Sequence, residues 1–171
     1  MLAFLHGLVS IGNGAVLFMM KIVEIEYGSD LYREALILRD EMLRKPIGLK
    51  HSEADLVAEK TYRHFGILLE DRLVACLMLV PHGLEVAQVR QMAVLDELQG
   101  SGYGRFIMMG VEAILRDEGQ IGRIFLNARG TAIGFYEKLG YNGVGDTFTE
   151  VGIPHLRMEK SLKDEAPSSG G

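Results

Sequence analysis

The residues with the clearest chemical use form a glycine-rich turn near the middle of the chain. The turn has the sequence QGSGYG over residues 99–104, after an apolar run over 89–94 and before a segment that resembles an amphipathic helix. Glycines let a backbone approach a ligand closely, and a helix start presents free N–H groups and partial positive charge. The pattern therefore predicts a cradle for a phosphate or another anion.

This turn differs from two common nucleotide-binding motifs. No Gly-Lys-Ser or Gly-Lys-Thr follows the glycines, as a P-loop requires. The dinucleotide motif needs a third glycine where this chain has Arg105, and an acidic residue closing the following parallel strand. Taken alone, the turn leaves open an ordinary glycine-rich connection that binds nothing.

Composition limits the classes of function. The chain has 171 residues, enough for one domain with a sizeable core, and a formal net charge of −5. That charge argues mildly against a nucleic-acid partner and is compatible with a cationic amine substrate. The single cysteine, Cys76, excludes an intrachain disulfide and a thiolate metal cluster, and it favours a cytoplasmic chain. The histidines lack metal-binding spacing, so no metal is expected.

Cys76 is also the only thiol that could form an acyl-enzyme. It lies in the apolar run LVACLM over residues 73–78, with no histidine beside it in the sequence. A thiol in such a run is usually buried and inert. We therefore expect Cys76 to have no catalytic role.

Apolar periodicity and turn residues predict alternating strands and helices. Ser29 or Asp30 is expected to cap the first helix, and a short helical turn is expected over 52–55. The predicted strands are 22–27, 65–70, 73–80, 85–94, 123–128, 141–149 and 155–158, and the helices are 31–44, 106–116 and 131–139. In the second helix, the residues expected to face the core are Phe106, Met109, Ala113 and Ile114. This order implies a mixed α/β sheet.

The first twenty residues differ from the rest because they contain no charged side chain. One interpretation is a signal or membrane anchor. The segment lacks a positive n-region, however, and Gly12-Asn13-Gly14 interrupts it. We favour a mis-assigned start or artefact over residues 1–20, with the domain over 21–162. The small, polar tail over 163–171 is expected to be flexible.

Several motifs in order resemble those of the GCN5-related N-acetyltransferases, the GNAT family. The turn matches the family's Q/R-x-x-G-x-G/A signature, and NAR over 127–129 and FYEKLGY over 135–141 resemble two later elements. The closing GIPH over 152–155 and the early LRKPIG over 43–48 resemble the ElaA/YjcF-type branch. The resemblance covers roughly residues 21–162.

Membership of this family implies a fold and a reaction. The fold is a central, mixed, mostly antiparallel twisted sheet flanked by helices and splayed between the family's fourth and fifth strands. The reaction is acetyl transfer from acetyl-CoA to a primary amine, by direct attack in a ternary complex. The acceptor can be a small molecule or a protein amino group, and no membrane partner is implied, whereas a homodimer is compatible. A non-catalytic acyl-CoA sensor on the same fold is the alternative.

The resemblance also implies which residues hold acetyl-CoA. Met92, Ala93 and Val94 would follow the pantetheine arm, and an N–H near Met92 or Ala93 would polarise the thioester carbonyl. Asn127 would meet the pantetheine, and Phe135 would pack beside it. The residues of the pyrophosphate cradle are Gln99, Gly100, Ser101, Gly102, Tyr103, Gly104 and Arg105.

Two side chains are candidates for proton transfer. Tyr136 occupies the position where the family commonly has a tyrosine that protonates the leaving thiolate, although it could instead pack beside the last helix. His155 has a suitable pKa for a base, but it could equally be a structural histidine bonded to a loop. Glu85 is a weaker candidate base, since a solvated strand end is the favoured interpretation, and Glu24 and Glu26 are expected to face solvent.

Overall fold

The computed structural model describes residues 9–11, 14–16 and 20–163, and every predicted strand and helix has a counterpart there. The strands are β1 (Val9–Ile11), β2 (Gly14–Val16), β3 (Met20–Ile25), β4 (Arg63–Leu69), β5 (Arg72–Pro81), β6 (Val86–Val94), β7 (Arg123–Arg129), β8 (Asn142–Glu150) and β9 (Ile153–Ser161). The α-helices are α1 (Asp30–Arg39), α2 (Glu53–Ala58), α3 (Tyr103–Glu118) and α4 (Ile133–Glu137).

Strand pairing confirms the predicted mixed α/β sheet flanked by helices. Seven strands are hydrogen-bonded in the order β3-β4-β5-β6-β7-β9-β8, while β1 and β2 form a separate antiparallel pair. The pairs β3–β4, β4–β5, β7–β9 and β8–β9 are antiparallel, and β6–β7 is parallel. The parallel pairing joins Val86–Gln88 to Arg123–Phe125, whereas β9 accompanies β7 over its whole length.

The chain divides into two compact units, and β6 contributes to both. The first unit comprises residues 1–80 and 90–111, and the second comprises 81–89 and 112–171. In the first unit, β3, β4 and β5 form an antiparallel meander with α1 and α2. In the second unit, β7, β9 and β8 form the sheet. The glycine-rich turn and Met92 therefore belong to the first unit, and Tyr136 and His155 belong to the second.

Helix α1 begins as predicted but changes its winding before its predicted end. Ser29 is the N-cap, and its Oγ accepts a hydrogen bond from the Tyr32 N–H at 3.1 Å. The α-helix ends at Arg39, and Asp40–Arg44 form a π turn in which the Lys45 N–H donates to the Asp40 carbonyl. Pro46 explains the change, because it has no N–H and its ring crowds the preceding turn.

The prediction of which α3 residues face the core is wrong. Met109 is 48% exposed, and Ala113 is also exposed. The buried residues are instead Ile107, Met108, Val111, Glu112 and Leu115. Glu112 is a charged residue on this buried face, and the predicted inward face did not include it. The helix also begins three residues earlier than predicted, at Tyr103.

A charged pair is buried in the first unit. Arg39 donates from Nη1 and Nη2 to the two Glu59 carboxylate oxygens at 3.0 and 2.6 Å, and both residues are 2% exposed. Tyr32 also donates to Glu59, at 2.7 Å. Burial alone would raise the pKa of Glu59, but the hydrogen bonds from Arg39 and Tyr32 lower it overall. The pair anchors α1 to the end of α2.

Most of the apolar segment 1–20 and of the tail 163–171 lies outside the described residues, so both assignments stay predictions. In the described part of the chain, no helix has the length and apolar character needed to cross a membrane.

The contact between Gly110 and Ile22 leads to a stability prediction. A Cβ added at Gly110 would lie 1.9 Å from Ile22 Cδ1, and Ile22 is fully buried. We expect Gly110→Ala to lower the free energy of unfolding by about 1–3 kcal/mol, the usual cost of overpacking, as measured by urea unfolding.

A second substitution and a control make this prediction specific. Ile22→Val removes Cδ1 and alone should cost roughly 0.5–1.5 kcal/mol. Combined with Gly110→Ala, it should relieve the clash, so the double variant should be more stable than the two losses added together. Gly134→Ala, whose Cβ would have no neighbour within 4 Å, should leave stability unchanged or raise it slightly. Additive losses would contradict the predicted contact.

Candidate functional site

The glycine-rich turn connects β6 to α3 through a short 3-10 turn over Asp96–Leu98. Gly100 and Gly102 have φ angles of 76° and 91°, in the left-handed region that favours glycine. A Cβ added at either position would meet no atom within 4 Å. These two glycines are therefore required by backbone conformation and leave the space beside the turn open.

The first turn of α3 supplies the free amides of the predicted anion cradle. The Phe106 N–H donates to the Gly102 carbonyl at 2.9 Å, which is the first helical hydrogen bond. The N–H groups of Tyr103, Gly104 and Arg105 precede it and have no partner within the helix. The Ser101 N–H, by contrast, donates to the Leu98 carbonyl at 3.3 Å. The backbone N–H groups that remain available are therefore those of residues 103–105, at the C-terminal end of the predicted cradle.

Gln99 makes contacts inside the protein. Its Nε2 donates to the Val94 carbonyl at 3.2 Å and lies 3.9 Å from Met42 Sδ. These contacts fasten the turn to the end of β6 and to the π turn. Since a carbonyl oxygen has two lone pairs, Val94 can still accept another hydrogen bond. The side chain of Gln99 is placed to position the cradle.

A left-handed residue lies within β6, just before the predicted pantetheine-binding segment. Gln91 has a φ of 53°, which is uncommon for a residue with a side chain. Such residues occur at β-bulges, where the strand bends and its hydrogen-bonding groups are redirected. Met92 and Val94 are half-buried after it, and Ala93 is buried. The strand carrying the predicted thioester contact is therefore locally irregular.

Tyr136 is buried among aromatic rings in the second unit. It is 8% exposed, and its ring meets Phe135 and Tyr141 edge-to-face at centroid distances of 4.9 and 5.8 Å. Burial raises the pKa of Tyr136 to about 12. The phenol therefore keeps its proton through the neutral range, which suits a hydrogen-bond donor and excludes a general base.

A polar network behind Tyr136 holds this aromatic group. The Tyr141 hydroxyl donates to Glu112 Oε1 at 2.9 Å, and Lys160 Nζ donates to Glu112 Oε2 at 2.5 Å. Burial, followed by the Glu112 charge and hydrogen bond, raises the pKa of Tyr141 above its usual range. The Tyr136 carbonyl also accepts the Tyr141 N–H at 3.1 Å. The ring of Tyr136 is thus supported through Tyr141.

His155 is buried on β9 and is oriented by its own hairpin. Its Nδ1 lies 2.8 Å from the Ile153 carbonyl oxygen, and its ring stacks on Phe148 with centroids 6.0 Å apart. A carbonyl oxygen only accepts, so Nδ1 carries the hydrogen and Nε2 keeps its lone pair in the neutral ring. This bond matches the interpretation of His155 as a structural histidine bonded to a loop. It also leaves Nε2 with a lone pair that can accept a hydrogen bond or a proton.

Asn127 and Phe135 are both half-buried in the second unit. Asn127 pairs in register with Arg157 of β9, whose guanidinium lies over the Phe125 ring at 3.8 Å from its centroid. Phe135 lies on α4, beside Tyr136 in sequence.

The structure weakens the minor candidates. The Glu85 carboxylate pairs with Lys163 Nζ at 3.1 Å on the surface, as expected of a solvated strand end. Glu24 is exposed and accepts two hydrogen bonds from the half-buried Arg63 guanidinium, and Glu26 is exposed. Cys76 is 2% exposed, and burial raises the pKa of its thiol to about 12. The prediction of a buried thiol is confirmed.

A protein-family model described as "Acetyltransferase (GNAT) domain" matches residues 37–162. The chain belongs to the GNAT acetyltransferase family. The predicted membership of the GNAT family is thereby confirmed, and YjcF and ElaA are among the proteins that are similar to this GNAT chain.

These relatives and one further solved structure show the extent of the similarity. The uncharacterized N-acetyltransferase YjcF from Bacillus subtilis is 38% identical over 74 residues, which are 43% of this chain and 52% of YjcF. The chain spans about half the length of the curated relatives it matches. The crystal structure of Escherichia coli ElaA matches with a TM-score of 0.70 and 21% identity, covering 81% of this chain and 98% of ElaA.

The second solved structure is an aminoglycoside 6′-N-acetyltransferase complexed with coenzyme A. It matches with a TM-score of 0.69 and 16% identity, covering 85% of this GNAT chain and 98% of that protein. At these identities the two solved structures establish the fold of the chain and leave its substrates open.

Sequence reasoning missed two features of this GNAT chain that bear on the site. Gln91 carried no signal, because neither glycine nor asparagine marks the left-handed position in β6. Glu112 did carry one, because it follows Met108 by four residues and precedes Leu115 by three on one helix face. A charged residue on an apolar stripe often has a buried partner, and here the partners are Lys160 and Tyr141.

The raised pKa of Tyr136 can be measured by ultraviolet titration. At pH 11 an ordinary tyrosine is about 90% ionised, whereas a group with a pKa of about 12 is about 10% ionised. We expect the wild type minus Tyr136→Phe difference at 295 nm to show little phenolate at pH 11, with folding checked by circular dichroism. A midpoint near pH 10 would mean that the hydroxyl is solvated.

The same shift predicts a dependence of stability on pH. The folded-state pKa lies above the unfolded value of about 10, so the contribution is complete below pH 10 and is lost as the pH rises toward 12. Tyr136→Phe should therefore lose less stability than wild type between pH 10 and 11.

Proposed function

We propose that this GNAT chain transfers an acetyl group from acetyl-CoA to a primary amine, by direct attack in a ternary complex. The observation that carries the proposal is the left-handed glycine turn, which is followed by the unpaired amides of Tyr103, Gly104 and Arg105 at the start of a 16-residue helix. Such amides and the helix dipole favour a phosphate group. Family membership and the coenzyme A in one solved structure of this fold support the identity of the donor.

The pyrophosphate is proposed to bind these amides, with Gly100 and Gly102 keeping side chains away from it. Arg105 follows at the third helical position and adds a positive charge. The pantetheine arm is proposed to pair with the backbone of Met92 and Val94 as an added strand would. Asn127 and Phe135 are proposed to meet the rest of the arm.

The Met92 N–H is our candidate for polarising the thioester carbonyl. Met92 is half-buried near the end of β6, one residue after the left-handed Gln91, whereas Ala93 is buried. A backbone donor fixed in this way stabilises the oxyanion that forms when the amine attacks.

Proton transfer completes the proposed reaction. A free amine has a pKa near 10 and must lose a proton before it attacks. His155 Nε2 is our candidate acceptor for that proton, because the Ile153 carbonyl fixes the hydrogen on Nδ1. Nitrogen then attacks the thioester carbon and releases its second proton to solvent, the carbon–sulfur bond breaks, and Tyr136 is proposed to donate toward the leaving thiolate. The products are an amide and coenzyme A, and no metal is invoked.

The remaining assignments follow from composition and family. We propose that the protein acts in the cytoplasm, where a single buried thiol such as Cys76 stays reduced. The acceptor is a small molecule or a protein amino group, and a homodimer is compatible with the family.

Acetyl-CoA binding tests the donor site directly. Saturating acetyl-CoA should raise the melting temperature, because a ligand that binds the folded state stabilises it. Gly102→Glu should abolish this shift, since it adds a negative charge and a left-handed strain beside the proposed pyrophosphate. Gly102→Ala should reduce the shift by strain alone.

The matched control is Gly83→Glu. Gly83 has a φ of 78° and an added Cβ would meet nothing within 4 Å, so it reproduces the charge and the strain at another turn. This variant should keep the full acetyl-CoA shift. A wild type that responds to neither acetyl-CoA nor longer acyl-CoAs would refute the donor assignment, and binding without turnover of any amine would favour a sensor.

Removal of the phenol tests the role of Tyr136. Because a thiolate is a fair leaving group, we expect Tyr136→Phe to lower kcat by about 10- to 100-fold, at the low end of acid–base effects. The KM for acetyl-CoA should change by no more than about twofold. The ratio of wild-type to variant kcat should stay constant from pH 6 to 10, because the phenol remains protonated there. Unchanged kcat would remove Tyr136 from the mechanism.

A further inference from the structure

His155, the proposed proton acceptor, lies in a hairpin whose turn helps to fix what surrounds its ring. Strands β8 and β9 are joined by Val151-Gly152, and Glu150 pairs with Ile153 across the turn. Both turn residues have positive φ, 50° and 71°, as the favoured two-residue hairpin turns require. Valine rarely adopts this conformation, because its branched side chain is crowded there. The register at this end of the hairpin is therefore held by a tight and locally strained turn.

A bulge in β8 changes which side chain lies opposite His155. The first part of β8 pairs with β9 in a register that places Val144 opposite Arg157, and the last part pairs in another. In that second register Phe148 lies opposite His155. Between these two pairs β8 has three residues and β9 has one, so β8 carries two extra residues. Continuing the first register would place Asp146 opposite His155, whereas in the folded hairpin Phe148 occupies that position.

The side chain opposite a proton acceptor affects what the acceptor can do. A carboxylate opposite an imidazole would favour the protonated ring, which cannot take a proton from an amine. An aromatic ring carries no charge and restricts the imidazole by contact. The Phe148 ring stacks on the His155 ring with an angle of 25° between the planes and centroids 6.0 Å apart. Directly opposite side chains on antiparallel strands lie on the same face of the sheet, so this contact follows from the register.

Two contacts together fix the orientation of the His155 ring. The hydrogen bond from Nδ1 to the Ile153 carbonyl oxygen, 2.8 Å long, keeps the ring from turning over. The ring could still tilt about this bond, and the stack on Phe148 limits that tilt. Arg129 pairs with His155 from the β7 side but is exposed. The direction in which Nε2 presents its lone pair therefore depends on Phe148.

Packing of the core does not explain Phe148. Its side chain is 39% exposed, and residues 142–149 of this edge strand are all exposed. A side chain in such a position buries little apolar surface, so it contributes little to the stability of the fold. A bulge on an edge strand can also prevent pairing with another sheet. That alternative explains the irregular backbone, but it gives no reason for an aromatic ring beside the proposed base.

We propose that Phe148 is a positioning residue for the acetyl-transfer reaction and that it acts through His155. By limiting the tilt of the imidazole, Phe148 keeps Nε2 directed toward the amine that gives up its proton. A base that is held in the productive orientation transfers the proton more often than one that must first find it. Phe148 itself takes part in no bond change. This inference rests on the proposed function, because it requires that His155 accept the proton.

The kinetics of single variants test whether the ring of Phe148 matters. We expect Phe148→Ala to lower kcat by about tenfold, which is part of the usual effect of a general base, and to change KM for acetyl-CoA by no more than about twofold. Phe148→Tyr keeps the ring and should retain about half of the wild-type kcat or more. The matched control is Val144→Ala, which truncates another exposed apolar residue of β8 and should retain about as much. Equal kcat in Phe148→Ala and Val144→Ala would overturn the proposal.

A double-mutant cycle tests whether Phe148 acts through His155. If it does, Phe148→Ala should lower kcat no further in a protein that already carries His155→Ala. Losses that multiply would mean that Phe148 acts independently of His155, and the proposal would be overturned. A wild-type kcat in His155→Ala would refute the base assignment itself, and Phe148 would then have no proton transfer to position. A preserved acetyl-CoA melting shift shows that each variant is folded.

An NMR measurement separates failure of this inference from failure of the proposed reaction. The ring signals of His155, identified by their loss in His155→Ala, report the ring geometry whether or not any amine releases coenzyme A. The face of an aromatic ring shields nearby protons, so we expect these signals to move downfield in Phe148→Ala and to stay near their wild-type positions in Phe148→Tyr. Identical ring signals in wild type and Phe148→Ala would overturn the proposal even if acetyl transfer is confirmed. If no amine releases coenzyme A, acetyl transfer fails, whereas the downfield shift still supports a ring held by Phe148.

Discussion

The requirement that every buried backbone group find a partner shapes the part of this protein that we propose binds the acyl donor. Strand β6 pairs with β7 over Val86–Gln88, turns through the left-handed Gln91, and ends where the Leu95 N–H donates to the Val74 carbonyl at 3.0 Å. The chain then enters α3, whose first amides have no partner within the helix. These N–H groups are open to a ligand in the proposed cradle, because Gly100 and Gly102 place no side chain beside them. The proposed cradle thus results from the place where the hydrogen-bonded strand β6 ends and the helical hydrogen bonds of α3 have not yet begun.

Each unit also buries a carboxylate that organises its surroundings. Glu59 receives Arg39 and Tyr32 in the first unit, and Glu112 receives Lys160 and Tyr141 in the second. Buried ion pairs add little net stability relative to apolar packing, but loss of one partner typically costs about 3–5 kcal/mol. Their effect is therefore on position. Glu59 fixes α1, and Glu112 fixes Tyr141, which supports Tyr136. The residue proposed for proton donation therefore depends on a carboxylate outside the proposed donor site.

The sequence predicted what depends on local chemistry and missed what depends on distant neighbours. Ser29, the glycine turn and the buried Cys76 each carry their own signal, because capping, left-handed φ and an apolar run are properties of short segments. The face of α3 that points inward was predicted wrongly, and burial of Glu112 on that face is explained only by its contact with Lys160, 48 residues away. Gln91 has no local signal at all, since glutamine rarely adopts positive φ.

The buried environment of Tyr136 limits the role that its phenol can have in the proposed reaction. With the pKa of its phenol at about 12 and that of a thiol near 8.5, complete proton transfer to the leaving thiolate is uphill by roughly 5 kcal/mol. Tyr136 is therefore better suited to stabilise developing negative charge on sulfur with a hydrogen bond than to act as a strong acid. The proton released in the reaction comes from the attacking nitrogen. Once bonded to carbon, this nitrogen becomes an ammonium group that is more acidic than the phenol and must lose a proton. If the phenol only hydrogen-bonds to the sulfur while another group takes the proton from nitrogen, the phenol stays neutral throughout the reaction. A buried tyrosine whose ring is held by Tyr141 is suited to that role.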